Sequence, residues 1–413
     1  MWQVFWTSRL VVFLSGVFAV LLFGAASSGG GGNDPFGLTR PFGFFGNLLV
    51  SPFARWDSSW YLLIAERGYG NNPERAEFFP LYPLITRVVG HIVVSDLIAG
   101  LLVSLVSFAI GLFLLYRLVE LELDGETARI TLLLIAFCPT ALFFSAVYSE
   151  SLFLALSVGC FLQARRGRWA SAGILGGLAA LERNSGIMLV VPIILLYLYG
   201  PRQDRPPPGP RDSSWVRRLI PRYPIRPNLA WVLLVPAGTL LFLISLSGRP
   251  GFSFTSAFDA KKYWLHYFAG PYGGVWHGIV AAWDGIRQIV HGPAPPVYFR
   301  PAIGFFDPLS IAGQNLILFG FLVLGVIGLI GAFRRLPLAY GAYALAALAI
   351  PLSYPVTWQP LGGLSRYEAV LFPLFMWGAL WVRRRNITTA SVASLAVFLG
   401  LFTAEFATWR FVA

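Results

Sequence analysis

Short polar runs interrupt an otherwise apolar sequence, and the first of them carries the residue types that proton-transfer chemistry requires. Arg55, Trp56 and Asp57 stand together in the run FARWDSSWYLL, and Glu77 opens the run EFFPLYP. A carboxylate held among aromatic rings beside an arginine can act as a general base, because its surroundings tune its proton affinity. The plainer alternatives are that Asp57 caps the helix that follows it and that Glu77 is an exposed loop acid.

The second run, FFSAVYSESLFLAL, places Tyr148, Ser149 and Glu150 at a turn between two short apolar segments. Charged residues near membrane depth are costly, so they indicate a functional cavity. The alternative is structural: Ser149 caps the next helix, and Glu150 favours its first turn.

Two further runs add candidate anion-binding residues. ALERNSG contains Glu182, Arg183 and Asn184, where the alternatives are a structural ion pair or contact of Arg183 with an anion. LSRYEAVLFPLF presents Arg366 and Tyr367 at the mouth of a predicted span, either for binding or as an interfacial anchor.

The only two lysines, Lys261 and Lys262, precede a Tyr-Trp pair and His266. This pattern is typical of an interfacial aromatic belt, with a clamp on a lipid phosphate as the alternative. The four histidines have no metal-ligand spacing, and the two cysteines lie in apolar runs, so we expect no metal site and no disulfide framework.

The elements that must position these residues are membrane helices. Of the 413 residues 56% are hydrophobic and only 12% are charged, and the mean hydropathy is +0.67, which excludes a soluble protein. The apolar runs are continuous rather than alternating, so helices are favoured over a β-barrel. We therefore predict an all-α, polytopic membrane protein with one domain over 1–413.

About eleven spans can be drawn. They lie at 9–28, 92–116, 130–146, 150–164, 169–182, 185–200, 228–247, 310–332, 337–356, 367–382 and 387–407. With the N-terminus cytoplasmic, 18 of the 31 basic residues and six acids fall on the inner side, which accounts for the net charge of +12. The positive-inside rule therefore fixes the orientation, and the charge predicts no nucleic-acid partner.

Three segments lie outside these spans. The Pro- and Arg-rich stretch 201–227 is predicted to be a cytoplasmic linker. The long segments 29–91 and 248–309 face outward and are rich in aromatic residues and prolines, which favours interfacial helices. Function is expected in these outer segments, with 29–91 as the catalytic loop.

Taken in order, five motifs resemble the GPI mannosyltransferase 2 (PIG-V) family of GT-C glycosyltransferases. They are Trp56-Asp57 with IAERGY, EFFPLYP, FFSAVYSESLFLAL, ERNSG and SRYEAVLFPLF. The resemblance implies a GT-C-like membrane enzyme with its catalytic carboxylate in the first external loop, where the family's Trp-Asp pair maps onto Trp56 and Asp57. It also implies a polyprenyl-phosphate sugar donor, transfer of mannose and a hydroxyl acceptor on a lipid, glycan or protein.

The resemblance and the residues together give a mechanism. Inverting transfer needs one base on the acceptor side and positive groups near the departing phosphate. Asp57 is assigned as the base, and Glu77 as its partner or as a ligand of the acceptor. Substrate contacts are assigned to Arg55, Trp56, Tyr148, Ser149, Glu150, Arg183, Asn184, Lys261, Lys262, Arg366 and Tyr367, and no cofactor or metal is favoured.

Two departures leave the acceptor open. Ser58, Ser59 and Trp60 follow Trp-Asp where eukaryotic members tend to have further polar residues including a histidine. The excess of arginine over lysine, 29 to 2, indicates a GC-rich genome and favours a bacterial plasma membrane, where no GPI precursor exists. The alternative function is a transporter or lipid flippase, which would also place polar residues inside a bundle.

Overall fold

The computed structural model describes residues 1–24, 34, 36–206, 221–259, 263–292, 308–410 and 412. Within these ranges the chain is helical, apart from turns and one isolated bridge between His266 and Val356. The helices are α1 (Trp2–Phe23), α2 (Phe44–Val50), α3 (Ser58–Arg67), α4 (Leu81–Val93), α5 (Asp96–Glu122), α6 (Gly125–Phe137), α7 (Glu150–Arg165), α8 (Trp169–Glu182), α9 (Val190–Tyr199), α10 (Leu234–Ser247), α11 (Ser256–Asp259), α12 (Gly270–His291), α13 (Pro308–Arg335), α14 (Leu338–Ser353), α15 (Leu364–Ala369), α16 (Phe372–Arg385) and α17 (Thr388–Ala407).

Five helical segments of the described chain are long and apolar enough to cross a membrane. They are Trp2–Phe23, Asp96–Glu122, Pro227–Ser247, Ile311–Arg335 and Thr388–Ala407. The other six predicted spans coincide with helices of 10 to 16 residues, namely α6, α7, α8, α9, α14 and α16. The predicted class, an all-helical multi-pass membrane protein, is confirmed.

The predicted span 130–146 is not one helix. Helix α6 ends at Phe137, and the 3-10 helix Pro139–Phe144 follows it. Pro139 has no N–H to continue the helix and drives Cys138 out of the α region, to φ −57° and ψ 150°. The break directs the chain into the polar turn that carries Tyr148.

The first span begins earlier than predicted, at Trp2 instead of residue 9. Arg9 therefore lies within α1 rather than ahead of it, and it is buried. Its guanidinium donates hydrogen bonds to Ala141 O at 2.8 Å and to Ser145 Oγ at 2.7 Å. These contacts satisfy a charge that the interior of a membrane protein would otherwise penalise, and they join α1 to the 3-10 helix below the polar turn.

Helix α7 lies at the centre of the bundle, where it packs against α5 and α8. Thirteen of its 16 residues are buried, which explains why its sequence is apolar on all sides. Helices α8 and α10 approach closely at Gly177 and Gly238. A Cβ on Gly238 would lie 2.1 Å from Gly177 O, so this crossing requires glycine.

The predicted linker is anchored at its start. Arg202 is buried, and its guanidinium lies over the rings of Trp169, Tyr197 and Tyr223 at 4.6, 4.6 and 4.9 Å. It also pairs with Asp204. Residues 201–206 and 221–226 form no helix, as predicted for this stretch, and 207–220 lie outside the described residues.

Candidate functional site

Asp57 occupies the N-cap position of α3, but its carboxylate does not cap the helix. Its Oδ2 instead accepts a hydrogen bond from Arg366 Nη1 at 2.6 Å. The capping alternative for this side chain is therefore wrong. The preceding Trp56 has a φ of 53°, in the left-handed region, where a non-glycine residue costs on the order of 1–3 kcal/mol and is common at functional sites.

Tyr148 fixes the backbone on both sides of Trp56. Its hydroxyl accepts a hydrogen bond from the Asp57 N–H and donates one to Arg55 O, each at 3.2 Å. Burial raises the pKa of Tyr148 well above its ordinary value, so the phenol stays neutral and keeps the proton that it donates. The turn between α6 and α7 thereby holds the Trp-Asp pair in place.

A chain of charges leads inward from Asp57. Arg366 Nε donates to Glu150 Oε1 at 2.8 Å, and Arg183 Nη1 lies 3.0 Å from the same oxygen. Side-chain exposure falls along this chain: it is 29% for Asp57, 15% for Arg366, 11% for Arg183 and 0% for Glu150. The site is an ionic cluster whose outer end, Asp57, is the part open to solvent.

Aromatic rings enclose both arginines. The Arg366 guanidinium lies 4.7 Å from the centre of the Tyr148 ring and 5.1 Å from that of Phe143, and Arg183 lies 4.6 Å from that of Tyr367. Burial alone would lower the pKa of Arg366, but Glu150 and Asp57 outweigh that effect and raise it above its ordinary value. Arg366 is therefore a fixed positive charge.

The local sequence explains how these side chains converge. Helix α15 begins after Gly363, whose φ of 79° turns the chain so that Arg366 points to α7. Arg183 stands in the break between α8 and the 3-10 helix Asn184–Leu189. Gly186 allows that break to fold back on α8, because a Cβ there would lie 2.1 Å from Ala179 O.

The two outer segments pack together over this cluster. Tyr61 donates to Ser149 Oγ at 3.0 Å, so Ser149 serves as a contact for α3 and makes no cap hydrogen bond. Phe78, the neighbour of Glu77, stacks on Trp60 at 5.9 Å, and Trp264 of the second segment lies 5.3 Å from Trp60.

Arg55 and Trp56 contact the end of α17 and the residues that follow it, which sequence reasoning did not anticipate. Arg55 Nε donates to Ala407 O at 3.0 Å, and Trp56 Nε1 donates to Arg410 O at 3.2 Å. The Trp56 ring meets that of Trp409 edge to face at 5.9 Å. We call residues 407–410 the C-terminal clamp. They carry no sequence motif from which their contacts with Arg55 and Trp56 could have been predicted.

The structure brings most of the predicted residues into one connected cluster. Its members are Asp57, Tyr148, Ser149, Glu150, Arg183, Asn184, Arg366 and Tyr367, with Tyr367 donating to Asn184 Oδ1 at 3.1 Å. Arg55 and Trp56 adjoin it through the backbone. Glu77 ends the 3-10 helix Pro73–Glu77 and is half-buried, and its partnership with Asp57 stays a prediction. Lys261 and Lys262 lie outside the described residues.

Glu182, the last residue of α8, does not form the ion pair that its position beside Arg183 suggests. Arg183 forms its ion pair with Glu150, not with the adjacent Glu182. Within the described part of the chain, both carboxyl oxygens of the buried Glu182 have no hydrogen-bond partner. Neighbours in sequence do not share a helix face, and the extended conformation of Arg183 turns its side chain away from α8.

No group of three or more His, Cys, Asp or Glu side chains among the described residues is placed to hold a metal ion. His266 Nδ1 lies 2.7 Å from Tyr354 O, and His277 Nδ1 lies 3.3 Å from the Tyr267 hydroxyl. His277 therefore makes a contact within the second outer segment, whereas His266 links this segment to the end of α14.

The fold and this cluster define the chain as a polytopic helical membrane protein with a partly exposed carboxylate beside two arginines. The family model described as Mannosyltransferase (PIG-V) matches residues 41–198, so the resemblance found in the motifs is confirmed. That segment contains Asp57, Glu150 and Arg183, whereas Arg366 is supplied by a part of the chain beyond it.

Curated relatives match a similar share of the chain. GPI alpha-1,6-mannosyltransferase 2 of Rattus norvegicus is 33% identical over 153 residues, which cover 34% of this chain and 31% of the relative. GPI mannosyltransferase 2 of Chaetomium globosum is 29% identical over 193 residues, covering 38% and 41%. The matched part therefore spans less than half the length of these relatives.

Solved structures with a similar helical arrangement have low sequence identity. The Archaeoglobus fulgidus oligosaccharyltransferase tethered with an acceptor peptide gives a TM-score of 0.46 at 14% identity, covering 98% of this chain and 55% of that one. ArnT from Cupriavidus metallidurans bound to undecaprenyl phosphate gives 0.36 at 16% identity, covering 81% and 67%.

Proposed function

We propose that this protein is an integral-membrane glycosyltransferase of the GT-C type. It transfers a sugar, mannose by similarity to the PIG-V relatives, from a polyprenyl-phosphate donor to a hydroxyl acceptor on the external face, with inversion. The observation that carries the proposal is the partly exposed Asp57 carboxylate, whose Oδ2 lies 2.6 Å from Nη1 of the largely buried Arg366. Asp57 belongs to the segment that is similar to mannosyltransferases.

The donor class follows from where the polar groups lie. A polyprenyl-phosphate sugar keeps its tail in the bilayer and its anomeric carbon at the interface. The cluster is built from turns that join short membrane helices, at the break before α7 and the break after α8. Orientation of this end toward the outside is supported by the excess of basic residues at the other end.

A residue of the cluster can be assigned to each step of the proposed reaction. Asp57 accepts the proton of the acceptor hydroxyl as its oxygen forms the new bond to the anomeric carbon. The bond from that carbon to the phosphate oxygen breaks, and the phosphate leaves with the electron pair. Arg366 and Arg183 stabilise the departing negative charge, so no general acid is required.

The experiment is transfer of radiolabelled sugar from polyprenyl-phosphate mannose by the purified full-length protein in nanodiscs, with and without EDTA to test metal dependence. Asp57→Asn is expected to lose more than about 100-fold in turnover, as removal of a general base does. The matched control is Asp124→Asn: Asp124 also pairs with an arginine, Arg383 at 2.8 Å, but lies at the start of α6.

Near-normal turnover by Asp57→Asn would refute the base assignment. Absence of transfer by the wild type with any hydroxyl acceptor, together with movement of lipid or solute across the membrane, would favour the transporter alternative.

A further inference from the structure

The ion pair between Asp57 and Arg366 poses a problem for the proposed reaction, because both partners have tasks that the pair opposes. A base must be free to take a proton, and an arginine that stabilises phosphate must be free to bind it. In the structure Asp57 Oδ2 is held at 2.6 Å by Arg366 Nη1. We propose that the Asp57 carboxylate and the donor phosphate compete for Arg366, so that phosphate binding releases the base.

The first support is that the Nε of Arg366 and the surface of its guanidinium that faces the aromatic rings are already occupied. Its Nε is bonded to Glu150, which has no exposed side-chain surface. Its guanidinium lies against the rings of Tyr148 and Phe143. Asp57 is the more exposed partner of Arg366, so we expect an anion from solvent to approach Arg366 at the end where Asp57 now binds.

The second support is charge balance. The cluster holds two guanidinium groups, Arg183 and Arg366, and two carboxylates, Asp57 and Glu150. A phosphate adds negative charge to a set that is already neutral, and like charges at close range in a partly buried site repel. Moving one carboxylate away from the phosphate relieves this repulsion. Glu150 is buried between the two arginines, so it is not the carboxylate that moves.

Asp57 is the carboxylate that can move. Its side chain is 29% exposed, and it makes no cap hydrogen bond to α3. The backbone N–H of Asp57 stays fixed by Tyr148, so rotation of the side chain is enough to break the pair. Once released, Asp57 faces the solvent side of the cluster, where an acceptor hydroxyl arrives.

This inference rests on the proposed function and gives it an order of events. The site takes a phosphate ester first, and the base becomes available only when that phosphate is bound. The pair then protects Asp57 from acting on water while the donor is absent.

The test measures phosphate affinity, not turnover. Farnesyl phosphate, inorganic phosphate and farnesol are titrated calorimetrically into the purified full-length protein. Asp57→Asn is expected to bind both phosphate ligands about tenfold tighter than the wild type, because the competing charge is gone, and to bind farnesol unchanged. Equal tightening of both phosphates locates the effect at the phosphate rather than at the lipid tail.

Control variants make the result specific. Asp124→Asn, which removes an arginine-paired carboxylate elsewhere, is expected to leave all three affinities unchanged. Arg366→Gln is expected to weaken both phosphates. If Asp57→Asn does not fold, Asp57→Ala carries the same expectation of tighter binding.

Unchanged or weaker phosphate binding by the Asp57 variants overturns the competition, as does a wild type that binds neither phosphate. The two proposals fail separately. Sugar transfer by the wild type without tightening in Asp57→Asn leaves the glycosyltransferase and removes the competition. Tightening without any sugar transfer leaves the competition and removes the glycosyltransferase.

Discussion

Glu150 is the residue on which the arrangement of the cluster depends. Its Oε1 accepts a hydrogen bond from Arg366 Nε and lies 3.0 Å from Arg183 Nη1 in an ion pair, and the side chain has no exposed surface. Removing one partner of a buried ion pair leaves an uncompensated charge and typically costs about 3–5 kcal/mol. We therefore expect Glu150 to position the two arginines, and its predicted contact with the substrate stays a prediction.

Glu150→Gln is expected to lower donor affinity and to reduce kcat/KM at least about tenfold per folded molecule, because both guanidinium groups lose their fixed geometry. Donor titration and transfer rates on the purified variant measure this. The matched control is Glu122→Gln at the C-terminal end of α5, where a nearly buried carboxylate lies 3.0 Å from Arg165 and accepts a hydrogen bond from Tyr340.

Both variants are expected to lower the melting temperature, since both break a buried ion pair. A fall in kcat/KM in Glu150→Gln alone supports the positioning role. An equal fall in both variants would show that the loss reflects general destabilisation.

At the scale of elements, the start of α3 is held from two directions. The turn before α7 fixes the backbone through Tyr148. The C-terminal clamp receives hydrogen bonds from Arg55 and Trp56, and the Arg55 guanidinium lies 4.7 Å from the Trp409 ring centre. The strained backbone conformation of Trp56 persists only because several contacts hold it in place.

Trp409→Ala is expected to lower kcat about tenfold while leaving farnesyl phosphate affinity within about twofold. Loss of the ring frees Trp56 and shifts the base, whereas Arg366 and Arg183 do not touch the clamp. Transfer rates and calorimetry on the same preparation separate the two quantities. Trp6→Ala, which removes a tryptophan that is 65% exposed on α1, serves as the control.

A loss of phosphate binding in Trp409→Ala as large as its loss of turnover would contradict this division of roles. So would full activity, which would show that Tyr148 alone holds the start of α3.

At the scale of the whole molecule, the chain is polarised. The aromatic outer segments and the ionic cluster lie at one end. Arg202, which is surrounded by aromatic rings, and Arg383 of α16 lie at the other end. The excess of basic residues at this second end predicts that it is cytoplasmic. The orientation has a direct test, because both native cysteines, Cys138 and Cys160, are buried.

Single cysteines at exposed positions are expected to label from opposite sides. Asn71→Cys, in the first outer segment, should react with a membrane-impermeant maleimide in intact cells. Gln203→Cys, in the linker, should react only after permeabilisation. The unmodified chain provides the background, and the reverse labelling pattern would overturn the orientation and with it the external reaction.

The sequence by itself determined the membrane class, the approximate place of the main apolar helices, and the family resemblance. These depend on local composition: apolar runs of bilayer length, basic loops and short motifs are readable one segment at a time. It also singled out the members of the cluster, since polar residues at membrane depth are conspicuous. Helix ends were less accurate, as Arg9 and Pro139 show.

Only the tertiary structure decided the partners. Asp57 and Arg366 are 309 positions apart, and Arg55 and Ala407 are 352 apart, so no local pattern could link them. Adjacent Glu182 and Arg183 suggested an ion pair, yet Arg183 turns to Glu150 because the chain extends at the end of α8. Which charge meets which depends on how the helices pack, and packing is a property of the assembled bundle.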